Sequence, residues 1–138
     1  MNKKQVLLPI LILSFLITSV LAQDVHLIDK GLKECIDKSK SITSEMKKCG
    51  EEAYAKWEAE LDKYYNLLMG VLDEESKEKL RQSQAAWIKF RDLEFEFIPY
   101  HFQDIGSYQG PTMLGDKVNI IKDRALQLQV YYKTIIDE

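Results

Sequence analysis

The chain has 138 residues, 46% of them hydrophobic and 30% charged, with three prolines, six glycines and a formal net charge of −3. That balance excludes a disordered tail, a collagen-like repeat and a polytopic membrane protein. The negative charge also argues against a nucleic-acid binder, which needs a basic face.

The first 22 residues read as a secretory signal peptide. Lys3 and Lys4 form a positive start, Val6 to Val20 is mostly apolar, and Val20-Leu21-Ala22 ends on a small residue before Gln23. That order of charge, apolar core and small residue is what a signal peptidase requires. An uncleaved anchor is the competing reading, but the apolar run is short for a span of roughly 20 residues. No Cys follows Ala22, which argues against a lipid anchor. Cleavage after Ala22 leaves one domain, 23–138, periplasmic or secreted and without a stable membrane anchor. It carries 17 basic and 22 acidic residues, a net charge of −5.

The exported part reads as helix. Helix one is expected over about Val25 to Lys38, with Ile28, Leu32, Cys35 and Ile36 as a short apolar stripe. A turn follows at Ser39-Lys40-Ser41, and Ser41 or Thr43 is suited to cap helix two. Helix two runs to about Leu72. Met46, Cys49, Ala53, Trp57, Leu61, Tyr64, Leu68 and Leu72 recur at steps of three or four, a buried stripe at helical period. Asp73-Glu74-Glu75-Ser76 then opens helix three with a capping aspartate and acids at the positive end of the dipole. The short connection predicts an antiparallel hairpin of helices two and three. Pro99 to Gly115 holds both remaining prolines and three glycines and is expected to be irregular. Helix four is expected from Asp116 to Ile136, with Val118, Ile121, Ala125, Leu128, Tyr132 and Ile135 packing on the hairpin. The predicted fold is an all-α small bundle built on that long hairpin. A short N-terminal helix is tied to it by a disulfide, and a C-terminal helix completes it.

Both cysteines, Cys35 and Cys49, lie in the exported part. An oxidising compartment and an even count favour one disulfide between them. Zinc would need four ligands at suitable spacing, and His26 and His101 are not placed like a finger. No metal or cofactor is expected.

Three features could carry function. Gln84, Trp87 and Arg91 share one side of helix three, and a buried Arg needs a carboxylate, for which Glu58 and Asp62 on helix two are the candidates. This cluster reads either as a polar element fixing hairpin register or as a ligand site gripped by Arg91. Catalysis finds no support: Glu94 and Glu96, two apart on a helix, point different ways, and no nucleophile or phosphate-loop motif is present. The stretch Pro99 to Ile105, with Tyr108 following, packs aromatic rings with an acid. Tyr100, His101, Asp104 and Tyr108 are the candidate partner-binding residues, while Phe102 and Ile105 can equally cap the end of the bundle.

Three runs together resemble a known family. They are Cys35 with Thr43-Ser44-Glu45-Met46-Lys47-Lys48-Cys49, Leu61 to Leu68, and Leu80 to Asp92 with its Gln84, Trp87 and Arg91-Asp92 pattern. Gly110 to Leu114 and Arg124 to Leu128 are similar to the same family's ending. The family is the LprI-like lysozyme inhibitor N-terminal domain family. The resemblance spans about Cys35 to Leu128 and implies a small exported helical protein that inhibits lysozyme or a related cell-wall muramidase by steric binding. The alternative is an envelope interaction or immunity module without lysozyme inhibition. Many relatives carry a second cysteine pair, at positions held here by Phe95 and roughly Asp116, which implies a less tethered connection between helices three and four.

Overall fold

The computed structural model describes residues 26–137. The signal segment, 1–22, lies outside the described residues. The elements are α1 (Leu27–Lys38), α2 (Thr43–Val71), α3 (Glu74–His101), a 3-10 turn (Gly106–Tyr108) and α4 (Gln109–Ile136). No strand occurs among the described residues.

The stripe on α2 is buried as its spacing predicts: Met46, Cys49, Ala53, Trp57, Leu61, Tyr64 and Leu68 all face inward. They meet Val118, Ile121, Ala125 and Leu128 of α4, and this pair of helices makes the most extensive contact in the molecule. Gly50 belongs to the same seam, because a Cβ there would sit 2.7 Å from the Leu114 side chain of α4. α3 returns antiparallel to α2 but stands further off. It buries only Leu80 and Ile98, adds half-buried Trp87 and Phe95, and brings the Phe95 ring 6.3 Å from Tyr54. α3 is thus amphipathic in an unusual way, with large apolar side chains on both faces.

The ends of the helices follow local chemistry, with two departures from expectation. Asp73 caps α3 by accepting from the Ser76 N–H at 2.7 Å. At α2 neither Ser41 nor Thr43 caps; Ile42 stands at that position without a side-chain bond. Lys40 and Ser41 instead take positive φ (49° and 63°) to reverse the chain. The irregular stretch is also much shorter than Pro99 to Gly115. Pro99 lies in the last turn of α3, and α4 starts at Gln109, so Gly110, Pro111 and Gly115 are helical. Both prolines sit where a helix tolerates them. Pro111 is third in α4, where N–H groups have no intrahelical partner anyway, and Pro99 is followed by only two more helical residues.

Cys35 and Cys49 are bonded, with Cα atoms 5.7 Å apart, so α1 is fastened to α2. α1 has no fully buried residue of its own and leans on Ile28 and Leu32. A Cys35→Ser, Cys49→Ser variant is therefore expected to lose about 3 kcal/mol of stability, read as a lower urea midpoint. Loss of amide protection should begin in α1. An unchanged midpoint would show that α1 docks without the bridge.

The Asp73 cap gives a pH dependence. Hydrogen bonds from Ser76 hold its carboxyl below the ordinary value of 3.8. The folded form thus binds its proton less readily than the unfolded form. The stabilisation is complete above 3.8 and is lost as pH falls through the lowered value. An Asp73→Asn variant should show a shallower loss of helicity on acidification than the parent, followed by circular dichroism.

Candidate functional site

Of the residues singled out on α3, Gln84 and Trp87 line a polar seam between α3 and α4. Gln84 Oε1 accepts from Arg124 Nε at 3.0 Å, and Ser83 Oγ accepts from Arg124 Nη2 at 3.2 Å. Two guanidiniums approach the Trp87 ring, Arg91 at 5.5 Å and Arg124 at 5.9 Å from its centre. Arg91 is half-buried, and its Nε and Nη2 donate to neighbouring Asp92 at 2.9 and 2.7 Å. Neither Glu58 nor Asp62 pairs with it. Asp62 is exposed, and Glu58 lies beside the Tyr54 hydroxyl, whose pKa is pushed up to about 12 by burial first and by that carboxylate second.

The buried arginine is Arg124, at 6% exposure. Burial holds its guanidinium below the ordinary arginine value. Sequence reading passed over it because a charge in an apolar helix is assigned to the solvent face. The signal was present, since position 124 falls three after Ile121 and four before Leu128, both fully buried. A cavity of about 270 Å³ opens beside it, lined by Trp87, Phe90, Ile120, Asp123, Arg124 and Gln127. A larger cleft of about 540 Å³ lies at the other end, between the α2–α3 turn and the end of α4, with Leu72, Leu80, Tyr131 and Ile135 among its walls.

The second assembly is the C-terminal end of α3 with the connection to α4. Tyr100 is 71% exposed on the last turn of α3, beside exposed His101. Asp104 follows in the bend and Tyr108 in the 3-10 turn, both exposed. No hydrogen bond joins these four. His101 is held by rings on both sides, Phe102 at 4.6 Å and Phe97 at 6.1 Å. Gly106 turns the chain here with φ of 63°. Three further exposed residues belong to this face and were missed from the sequence: Phe90, Leu93 and Phe97. Their spacing of three and four, continuing to Tyr100, puts them on one outward stripe of α3. From Asp92 through Asp116 the chain carries five acids and no lysine or arginine.

The connection has its own tie. Lys117 of α4 sets its ammonium 4.9 Å over the Phe95 ring of α3.

Among the described residues no group of three or more His, Cys, Asp or Glu side chains is placed to hold a metal ion. No helix there is long and apolar enough to cross a membrane. No curated protein and no solved structure matches the chain. The family model described as lysozyme inhibitor LprI matches residues 35–128, which run from the disulfide on α1 to the last buried leucine of α4. With more than half of its length so matched, the chain belongs to the LprI lysozyme inhibitor family.

Proposed function

We propose that this protein is exported and inhibits lysozyme, or a related muramidase, by covering the enzyme's substrate cleft without catalysis of its own. The family supplies the class of partner. The observation that carries the mechanism is the exposed aromatic stripe at the end of α3, Phe97 and Tyr100, continued by Tyr108 and set in a run of acids without lysine or arginine. Rings of this kind offer large contact area at little loss of side-chain freedom, and they dominate the centre of tight interfaces. Lysozymes are typically basic, so the acids Glu96 and Asp104 accelerate encounter and set orientation. Tyr100, His101, Asp104 and Tyr108 are the proposed contact residues, with Phe97 added on its exposure. Gln84 and Trp87 meet Arg124 across the α3–α4 seam and serve to hold α3 in place, while Arg91 bonds its own neighbour Asp92.

The test is a cell-wall turnover assay with purified protein, disulfide intact. Dose-dependent inhibition at sub-micromolar protein, approaching one inhibitor per enzyme, is the expected result. A folded protein that leaves every lysozyme type untouched would overturn the inhibitor reading and favour an envelope interaction module.

A further inference from the structure

One charged group takes no part in that face. Arg124 is buried, and its guanidinium keeps its positive charge. Its hydrogen bonds run to Gln84 Oε1, Gln127 Oε1 and Ser83 Oγ, three neutral acceptors. No carboxylate among the described residues forms an ion pair with it. Buried cations are ordinarily paired, because neutral dipoles replace only part of the lost hydration. Arg91 is the contrast: it faces the same Trp87 ring but is neutralised by Asp92.

The cavity beside Arg124 has the complementary shape. Trp87, Phe90 and Ile120 give it apolar walls, and Arg124 with Gln127 gives it a polar end. An arginine has five N–H donors, of which three are engaged here, leaving two. Few polar groups on an otherwise apolar wall is the usual composition of a small-molecule site. Asp123, exposed on the same lining, disfavours a ligand with more than one negative charge.

We propose that this cavity binds a small organic monocarboxylate, its carboxylate on Arg124 and its apolar body against Trp87, Phe90 and Ile120. A carboxylate matches the guanidinium in charge and in planar donor geometry. It supplies the counter-charge that the fold itself leaves out. Binding here needs no lysozyme, so its failure and the failure of the inhibitor reading are separate results.

The probe is sodium phenylacetate, titrated into nitrogen-15-labelled protein while the Trp87 indole N–H and Arg124 Nε–H resonances are followed. Saturable shifts of both are expected. Phenylacetamide, of the same shape without the charge, should bind about tenfold more weakly or less. Inorganic phosphate should bind more weakly than phenylacetate. Arg124→Gln should remove the preference for phenylacetate over phenylacetamide. Because that variant also loosens the α3–α4 seam, Ile120→Trp is the second test: it fills the cavity, leaves the Arg124 bonds in place and should abolish phenylacetate binding. Equal binding of phenylacetate and phenylacetamide, binding of phosphate as tight as phenylacetate, or absence of shifts at these two resonances would each overturn the proposal.

Discussion

Replacing Trp57 with alanine is expected to lower stability by about 3 to 5 kcal/mol, a large share of the roughly 5 to 15 kcal/mol that holds a domain of this size. Trp57 is 1% exposed, among the largest fully buried side chains. It stands on α2 in the main core cluster, with the His26 ring at the start of α1 4.4 Å away and the Lys122 ammonium of α4 5.8 Å from its centre. Lys122 also bonds Asp29 of α1, so removing the indole loosens a link between α1 and α4 as well as leaving a void. Trp57→Phe should behave differently. The indole N–H has no hydrogen-bond partner among the described residues, and a buried unpaired donor costs about 1 to 3 kcal/mol. The phenylalanine variant sheds that cost while keeping most of the ring, so its loss should be well below that of alanine. Urea unfolding of the three proteins measures this. Equal losses for alanine and phenylalanine would show that a ring at this position does not carry the stability.

Tyr100→Ala is expected to weaken lysozyme inhibition by about tenfold or more, the usual effect of truncating an aromatic anchor. The ring is exposed, so the melting temperature should stay within about a degree of the parent. Asp104→Lys should act mainly on the association rate, slowing it at low salt and flattening its dependence on ionic strength. The two substitutions thus separate contact from steering. A Tyr100→Ala protein that inhibits as well as the parent would move the contact away from the end of α3.

The sequence made the buried side of the bundle legible because its signal is periodic. Every residue of the α2 stripe from Met46 to Leu68 is buried where a step of three or four puts it, and Val118, Ile121, Ala125 and Leu128 repeat the pattern on α4. What escaped has three physical origins. Prolines and glycines between 99 and 115 suggested a long loop, yet Pro111 lies in the first turn of α4, where its missing N–H has no consequence, and Pro99 gives up one helical bond only two residues before α3 ends. Arg124 carries a charge on an apolar stripe, so composition and period gave opposite answers, and period was the better guide. The outward stripe of Phe90, Leu93, Phe97 and Tyr100 has the same spacing as a core face, and period alone does not say whether another helix covers it. α3 has two apolar faces, and α2 and α4 together cover only one. Periodicity located the helices, and the even cysteine count the disulfide, while the partner-binding residues rest on chemistry and exposure.

Amide hydrogen exchange of the protein, free and bound to lysozyme, tests the proposed interface most directly. The expected result is slowed exchange across residues 97–108, with the α1–α2 turn around Lys40 unchanged. Slowed exchange confined to that turn or to the outer face of α4, with 97–108 unaltered, would contradict docking through the end of α3.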